Sequence, residues 1–327
     1  MPDILFIKTS SLGDVIHHMP AVTEARRHFP EATIHWVVEE SFAPLAALHP
    51  GADAVIPVAL RRLARNPLAW SAWHDFGAFA RRLRSRRYDT VIDTQGLFRT
   101  GIIAKLAHGE RHGYGPDSVR ERAAALFYDV QHAVPRGDHA IARNRALAGL
   151  ALGYAPEGPP DYGLDRAALA GVPRTPYGIL LHATAQRAKE WPEAHWIALA
   201  RALEGRINLL LPFGSAREKE RAERLAKDLE KTRVPIHRSL DNMARMIAGA
   251  SFVVGVDTGL LHLAAALGVS LVGIFCGSEP SLTGPMGQGP IEIVGGKGAV
   301  PSVEEVLAAV ARVTAVASLS PMAGAGR

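Results

Sequence analysis

One short segment of this chain already restricts the fold to a parallel α/β arrangement. The apolar run 251–256 is typical of a buried strand, and it ends at the polar residues Asp257, Thr258 and Gly259. A helical spacing of apolar residues begins at once with Leu260. The segment predicts a strand followed directly by a helix, whose N-terminal amides suit a phosphate or diphosphate group. An ordinary helix cap is an equally good interpretation of these residues alone.

The length and composition indicate a globular protein with two cores. The chain has 327 residues and is 48% hydrophobic, which is too long for one ordinary core. Its single cysteine, Cys276, excludes an intramolecular disulfide and a cysteine-based metal cluster. The N-terminus lacks a signal-peptide pattern, and no apolar run approaches the ~20 residues that span a bilayer. We therefore expect a cytosolic protein.

Strand and helix signals alternate in two sets. In the first set we predict strands at 4–7, 33–38, 54–58 and 88–93, and helices at 14–28, 70–84, 97–108, 119–128 and 139–152. In the second set we predict strands at 177–182, 207–212, 252–256 and 270–275, and helices at 193–203, 216–229, 243–248, 260–267 and 303–313. Such alternation predicts two doubly wound domains with parallel sheets, and a cleft between domains is a favoured ligand site.

Prolines and small residues set the expected domain boundaries. The stretch 153–176 is rich in proline and breaks the periodicity, which is typical of a linker. We predict an N-terminal domain at 1–160, a linker at 161–176, a C-terminal domain at 177–315 and a disordered tail at 316–327.

Basic residues are concentrated in one segment. Between Ala54 and Tyr88 there are eight arginines and a single acid, Asp75. This predicts a local anion-binding surface, although about half of these arginines fit a plain solvated helix face. Nucleic acid is a weak candidate because no recognition motif or interleaved aromatic residue is present. Anionic lipid, or a phosphorylated acceptor near a membrane, fits as well.

The loop after the first predicted strand, Lys8–Asp14, carries a possible catalytic carboxylate. It lacks the glycines of a P-loop or of a dinucleotide-binding loop, so the acids at 39–40 do not indicate NAD binding. Asp14 stands in the first turn of a helix, with Lys8 nearby. It fits a helix cap as well as a general base at the cleft.

The loops of the second domain offer groups for a diphosphate. Thr184 and Lys189 follow its first predicted strand, and acids at 218–220 open a helix where one of them could bind a ribose diol. The sequence has no D-x-D pair, no H-E-x-x-H motif and no Cys/His ligand spacing, so it does not indicate a metal site. The charge that develops on a leaving group would have to be stabilised by Thr184, Lys189, Thr258 and helix amides.

Several motifs together resemble one enzyme family. They are Lys8–Asp14, Trp36–Glu40, Asp93–Leu97, Lys189–Pro192, Glu218–Ala222 and Val256–His262. The resemblance is to the ADP-heptose-dependent heptosyltransferases of lipopolysaccharide synthesis, glycosyltransferase family 9, and it runs from about residue 1 to 315. The Lys-Thr-Ser-Ser and Asp-Thr-Gln-Gly-Leu motifs favour the heptosyltransferase I branch over heptosyltransferase II.

The resemblance implies a GT-B fold, with two Rossmann-like domains facing across a cleft, an N-terminal acceptor domain and a C-terminal ADP-heptose domain. It implies transfer of L-glycero-D-manno-heptose to the first Kdo of Kdo2-lipid A, with inversion and without a cofactor or metal. The enzyme would be cytoplasmic and peripheral to the anionic inner face of the inner membrane.

The resemblance also assigns residues. Asp14 would be the base. Donor contacts would come from Thr184, Lys189, Glu220, Asp257, Thr258, Gly259 and His262, and acceptor contacts from Lys8, Ser10, Arg61, Arg62 and Arg120. The sequence departs from the family at Ala185, where a second Thr is common, and in the loop Cys276–Pro280, so their donor contacts are open.

Three alternatives remain at this point. Another heptosyltransferase would act on a heptose acceptor. A non-catalytic nucleotide-sugar binding protein would need no acceptor-side base such as Asp14. A nucleic-acid-binding protein would bind oligonucleotides in a salt-sensitive way. The oligomeric state is not predicted.

Overall fold

The computed structural model describes residues 1–171, 175–184, 186–277 and 279–319. The chain divides into two compact units, Met1–Leu164 and Asp165–Arg327. Each unit contains one six-stranded sheet, and every strand pair in both sheets is parallel. The expectation of two parallel-sheet α/β domains is confirmed.

The first unit holds the elements up to α6. Its strands are β1 (Asp3–Ile7), β2 (Thr33–Glu39), β3 (Ala54–Val58), β4 (Arg87–Asp93), β5 (His108–Tyr114) and β6 (Val130–His132). Its helices are α1 (Leu12–His28), α2 (Ala43–Ala46), α3 (Leu60–Arg65), α4 (Trp70–Arg84), α5 (Phe98–Leu106) and α6 (Ala140–Leu152), with 3₁₀ helices at Glu40–Phe42 and Arg122–Phe127.

The second unit repeats the plan. Its strands are β7 (Tyr177–Leu181), β8 (Asn208–Leu210), β9 (Thr232–Arg233), β10 (Phe252–Val256), β11 (Leu271–Phe275) and β12 (Ile291–Gly295). Its helices are α7 (Arg166–Ala170), α8 (Glu193–Glu204), α9 (Ala216–Ala226), α10 (Leu240–Ala248), α11 (Gly259–Ala266), α12 (Pro280–Thr283) and α13 (Val303–Leu319), with a 3₁₀ helix at Arg187–Lys189.

Strand order places one ligand crevice in each sheet. The first sheet runs β3-β2-β1-β4-β5-β6 and the second runs β12-β11-β10-β7-β8-β9. The order therefore reverses between β1 and β4, and again between β7 and β10. Loops that leave two such neighbouring strands diverge, which opens a crevice at the carboxyl edge of the sheet. Asp14 and Asp257 each follow a strand that borders such a point.

The central strands are apolar on both faces because helices cover both. Residues Ile4–Ile7 of β1 and Val253–Val256 of β10 are fully buried. In the second unit, β10 and β11 pack with α8 and α13, where Trp191 and Trp196 are at most 1% exposed. Strands buried in this way read as continuous hydrophobic runs, which is why the sequence predicts them well.

In the first unit, strands β5 and β6 and the short helices α2 and α3 were not predicted from the sequence, and one predicted helix is wrong. Strand β5 was not predicted, because its first four residues are charged or glycine and only His112, Gly113 and Tyr114 are buried. The predicted helix at 119–128 is instead the 3₁₀ helix Arg122–Phe127. The residues on either side of it are bound elsewhere, since Glu121 N donates to Gly96 O at 3.1 Å and Asp129 N donates to Arg111 O of β5 at 2.8 Å. The span between them is therefore too constrained for a regular helix.

The predicted linker and tail contain helical residues. Helix α7 lies inside the linker 161–176, and its Arg166 guanidinium donates to the carbonyls of Ala248, Ala250 and Gly268 at 2.9, 2.9 and 3.1 Å. These bonds fix α7 to the second unit despite the flanking prolines. Helix α13 continues to Leu319, into the tail predicted to be disordered, whose remaining residues 320–327 lie outside the described part. Within the described ranges, no helix has the length and apolarity needed to cross a membrane.

Candidate functional site

Asp14 occupies the turn that joins β1 to α1. Ser11 is the N-cap of α1, and Asp14 is the third helical residue. The Asp14 Oδ2 atom accepts hydrogen bonds from the Ser11 amide at 2.6 Å and from the Ser11 hydroxyl at 3.2 Å. This reciprocal cap fixes the carboxylate at the carboxyl edge of the sheet. The two interpretations of Asp14 are therefore compatible, since the cap positions the carboxylate in the crevice.

Two cavities meet at Asp14. The first, of about 380 Å³, is lined by Lys8, Asp14, Thr94, Gln95, Tyr114, Arg120, Arg136, Ala140, Arg143 and Asn144. The second, of about 550 Å³, is lined by Ser10, Ser11, Asp14, Gln95, Leu97, Phe98, Arg99, Arg120 and Glu121. Asp14, Gln95 and Arg120 line both cavities. Three of the predicted acceptor residues, Lys8, Ser10 and Arg120, thus lie in the same crevice as the predicted base.

The first cavity is strongly basic. Lys8 is buried, and its Nζ donates to Thr94 O at 2.9 Å and to Asn144 Oδ1 at 3.3 Å; burial lowers the pKa of Lys8. Arg143 donates to the Ser118 carbonyl at 2.5 Å and lies 4.8 Å from the Tyr114 ring centroid. Arg136 donates to the Val119 carbonyl.

Arg136 and Arg143 are held by backbone carbonyls and by the Tyr114 ring. Within the described residues, none of Arg120, Arg136 and Arg143 forms an ion pair with a carboxylate. Their charge therefore remains available to an anionic ligand, and Asp14 is the acidic side chain that lines the first cavity with them. Sequence reasoning missed Arg136 and Arg143 because α6 and the loop before it are distant from Asp14 in sequence.

The loop after β4 shapes the crevice through a buried acid. Asp93 is fully buried, and its carboxylate accepts from Tyr128 Oη at 2.8 Å, from the Gln95 amide at 2.9 Å and from the Gly96 amide at 3.2 Å. Burial raises the pKa of Asp93. Gln95 in turn accepts from the amides of Thr9 and Ser10 at 3.2 and 3.1 Å.

Gly96 completes this arrangement. It adopts a φ of +66°, and an added Cβ would stand 3.0 Å from Val119 Cγ2. A larger residue would therefore strain the turn. The Asp93–Leu97 motif thus fixes one loop against the other at the switch point.

The second unit gathers the predicted donor residues around Asp257. Lys189 Nζ lies 2.6 Å from Asp257 Oδ2, and His262 Nε2 lies 3.9 Å from Asp257 Oδ1. The Thr184 hydroxyl donates to the Asp257 carbonyl at 2.9 Å. Thr258 is the N-cap of α11, but its side chain makes no capping hydrogen bond. The N-terminal amides of α11, beginning at Gly259, are thus arranged beside a cation, as an anion site requires.

The motif Lys189–Pro192 is anchored by residues that sequence reasoning left out. The Glu190 carboxylate pairs with Arg217 and Arg221 of α9. Trp191 is fully buried and donates from Nε1 to Pro301 O at 2.9 Å. These contacts hold the loop that carries Lys189, so Glu190 and Trp191 act on the site through position.

Two neighbouring acids of helix α9 have different environments. Glu218 accepts from the Gly214 amide at 2.7 Å, and its own amide bonds to Ser215 Oγ at 3.3 Å, which makes it part of the helix cap. Glu220 is exposed on the same helix. Of the two departures from the family, Ala185 lies outside the described residues, as does Ser278 in the loop Cys276–Pro280.

Arg61 and Arg62 lie apart from the two cavities. Both are exposed on α3, and neither lines the space around Asp14. The Arg61 guanidinium carbon is 4.7 Å from the Phe42 ring centroid. Arg62 pairs with Glu40 at 3.0 Å and with Asp75 at 2.8 Å. Their predicted acceptor role stays a prediction.

Comparison with known proteins gives concordant matches. The family model of glycosyltransferase family 9 (heptosyltransferase) matches residues 76–308. Lipopolysaccharide heptosyltransferase 1 of Pseudomonas aeruginosa is 44% identical over 294 residues, which are 89% of this chain and 83% of that protein.

Solved structures agree in fold. The structure of Escherichia coli heptosyltransferase WaaC with ADP superposes with a TM-score of 0.89 at 37% identity, covering 95% of this chain and 99% of the other. WaaC with ADP-2-deoxy-2-fluoro heptose gives a TM-score of 0.84 at 37% identity, with 97% and 100% covered.

Proposed function

This chain belongs to glycosyltransferase family 9, the heptosyltransferases, and from that premise we propose that it moves L-glycero-D-manno-heptose from ADP-heptose to the first Kdo of Kdo2-lipid A. Its resemblance to this family is confirmed, and it is a glycosyltransferase of lipopolysaccharide core synthesis. The observation that carries the acceptor assignment is that the Asp14 carboxylate lines the same cavities as Lys8, Arg120, Arg136 and Arg143, which form no ion pair with a carboxylate of the described residues.

Asp14 acts as the general base. The attacking Kdo hydroxyl passes its proton to the Asp14 carboxylate while its oxygen forms a bond to the anomeric carbon of heptose. The bond from that carbon to the ADP oxygen breaks through an oxocarbenium-like transition state. Attack from the face opposite the leaving diphosphate inverts the anomeric configuration. The Ser11 bonds to Oδ2 support this role because they hold the carboxylate in one place.

The second unit binds the donor. Lys189 and the N-terminal amides of α11 stabilise the negative charge that develops on the departing diphosphate. Thr184 and His262 hold Asp257 and, with Thr258 and Gly259, line the diphosphate and sugar. Glu220 receives the adenosine ribose, consistent with its exposure on α9. The donor classes named in the WaaC complexes support this assignment.

The first unit binds the acceptor. Kdo carries a carboxylate and lipid A carries phosphates, which match Lys8, Ser10, Arg120 and the neighbouring arginines. Arg61 and Arg62, which are exposed on α3 apart from these cavities, contact anionic groups of the acceptor that lie further from the base. We place the enzyme on the cytoplasmic face of the inner membrane, in peripheral contact with anionic lipid, because the proposed acceptor is anchored in a membrane.

One assay separates the proposal from its alternatives. ADP release from ADP-heptose is followed with Kdo2-lipid A, with the same acceptor already carrying heptose, and with no acceptor. We expect release that depends on Kdo2-lipid A and a product heavier by one heptose. Preference for the heptosylated acceptor would identify the second type of heptosyltransferase. Tight ADP-heptose binding without any acceptor-dependent release would identify a binding protein.

A further inference from the structure

Large apolar side chains are exposed at the start of α4. Leu68, Trp70 and Trp73 are 98%, 79% and 54% exposed; we call these three residues the tryptophan patch. The other tryptophans of the chain, Trp36, Trp191 and Trp196, are at most 1% exposed. A cluster of exposed aromatic and aliphatic side chains is uncommon on a soluble surface and marks an interaction site.

Helical geometry keeps the patch away from the protein core. The buried residues of α4 are Ala72, Phe79 and Leu83, which lie on one face. At about 100° per residue, Trp70 lies about 160° from the centre of this buried face and Trp73 about 100° from it, so Trp70 is on the opposite side of the helix and Trp73 is on its flank. Local contacts hold them there, since Trp73 Nε1 donates to Pro67 O at 2.7 Å and the Trp70 ring stacks on His74 at a centroid distance of 5.3 Å.

The patch lies in a positively charged field. Arg65 precedes it, and Arg81 and Arg84 follow on the same exposed face of α4. Within the described residues, none of these three arginines forms an ion pair, in contrast to Arg62. Arg65 is close to the patch in sequence, whereas Arg81 and Arg84 lie about 12 and 16 Å beyond Trp73 along α4. A helix side that carries both an apolar patch and unpaired cations complements a layer that is negatively charged outside and apolar beneath.

Chain topology puts the patch at the edge of the sheet that carries the crevice. Strand β3 ends at Val58, and α3 and the turn at 66–69 follow it before α4 begins. In a parallel sheet, the carboxyl end of β3 lies at the same edge as the loop Lys8–Ser11 after β1. The patch and Asp14 therefore belong to the same edge of the first unit.

We propose that the tryptophan patch inserts into the interfacial region of an anionic lipid bilayer, with Arg65, Arg81 and Arg84 contacting its headgroups. The choice of a bilayer as the occupant rests partly on the proposed function, because that acceptor is itself anchored in a membrane. Tryptophan favours the membrane interface, where its ring is buried and its N–H stays hydrated. Each nearby arginine adds about fivefold in affinity for anionic lipid.

Vesicle binding tests this proposal without substrate. The probes are phosphatidylcholine vesicles with and without phosphatidylglycerol, and the readouts are cosedimentation and quenching of tryptophan emission by brominated lipid. Because Trp70 and Trp73 are the exposed tryptophans, quenching reports on the patch itself. We expect binding to anionic vesicles, weakening with salt.

Substitutions localise the binding. Leu68→Ser/Trp70→Ser should weaken partitioning at least about tenfold, and Arg65→Gln about fivefold. The matched control is Ile236→Ser, which removes an apolar side chain that is 77% exposed in the second unit and should leave binding unchanged. Thermal unfolding of each variant establishes that it is folded.

Several results would overturn the proposal. Equal binding of wild type and the Leu68→Ser/Trp70→Ser variant, or the absence of quenching, would remove the patch from the membrane contact. A concentration-dependent dimer that this variant abolishes, without vesicle binding, would assign the patch to a second copy of the chain. Turnover of a deacylated, soluble Kdo acceptor tests the proposed function separately, and the patch variant should retain it.

Discussion

Lys189 and Asp257 stand 68 positions apart in the chain, yet the Lys189 Nζ atom lies 2.6 Å from Asp257 Oδ2. The pair joins the loop after β7 to the loop after β10, across the switch point of the second sheet. It holds a cation beside the N-terminus of α11 before any donor arrives. A bound diphosphate can therefore use a lysine that is already oriented, which reduces the ordering cost of binding.

Replacing Lys189 by Met should weaken donor binding and spare the acceptor. The loss of a charge-assisted contact to phosphate costs about ten- to a hundredfold in affinity. Calorimetric titration with ADP measures this loss of affinity. The matched control is Lys219→Met, at an exposed lysine of α9. Unchanged ADP affinity in the Lys189 variant would exclude it from the diphosphate site.

Arg120→Ala should raise the acceptor KM more than Arg62→Ala. Arg120 lines both cavities at Asp14, whereas Arg62 is engaged by Glu40 and Asp75. We expect at least about a tenfold effect for Arg120, with a weaker salt dependence of the acceptor KM than in wild type, and a smaller effect for Arg62. Steady-state kinetics with varied Kdo2-lipid A provide the measurement. A larger effect at Arg62 would place the acceptor's anionic groups on α3.

Turnover should survive exhaustive chelation. Within the described residues, no group of at least three His, Cys, Asp or Glu side chains could hold a metal ion, and Lys189 with α11 offers an alternative for the leaving diphosphate. ADP release is measured after EDTA treatment and again after Mg²⁺ is restored. Abolition by EDTA with full recovery on adding Mg²⁺ would contradict this prediction, whereas mild stimulation of product release would not.

The stability of the first unit should decline in acid partly through His49. Its Nδ1 accepts from the Gly51 amide at 3.0 Å, and Nε2 lies 3.0 Å from Thr23 Oγ1, an arrangement that suits the neutral ring. Burial lowers the pKa of His49 from 6.5 to about 4. The unfolded chain therefore binds this proton at a higher pH than the folded chain.

It follows that the contribution of His49 to the stability of the folded state is complete above pH 6.5 and is lost as the pH falls toward about 4. Over this range the folding equilibrium constant decreases by up to about tenfold per pH unit. Urea unfolding between these values should show a shallower pH dependence for His49→Gln than for wild type. The control is exposed His74→Gln, which should match wild type. Equal slopes for all three proteins would contradict the assignment.

The sequence predicts the two switch-point loops because each combines an apolar strand with polar residues at its end. Asp14 and Asp257 can therefore be identified as candidate site residues from the local sequence pattern. Strand β5 cannot be predicted in this way, because its polar, glycine-containing sequence becomes a strand only through pairing with β4 over Arg87–Asp93. Local propensity carries no information on that pairing.

The basic first cavity at Asp14 also could not be predicted from local sequence. Lys8 bonds to Asn144 across 136 positions, and Arg143 reaches the crevice only because α6 packs beside α1. The dense run of arginines at 61–87 drew attention to α3 and α4, whereas the arginines around Asp14 are scattered along the sequence. Charge density along a chain does not reveal which charges converge after folding.

The most direct measurement is the turnover of Asp14→Asn with ADP-heptose and Kdo2-lipid A. Asn preserves the shape and an acceptor for the Ser11 amide but cannot take a proton, so turnover should fall about 10²- to 10⁴-fold while ADP-heptose affinity stays near that of wild type. Asp117→Asn is the matched control, since Asp117 is an exposed carboxylate that lines neither cavity; its turnover should remain close to normal. Near-native turnover of Asp14→Asn would contradict the assignment of Asp14 as the base.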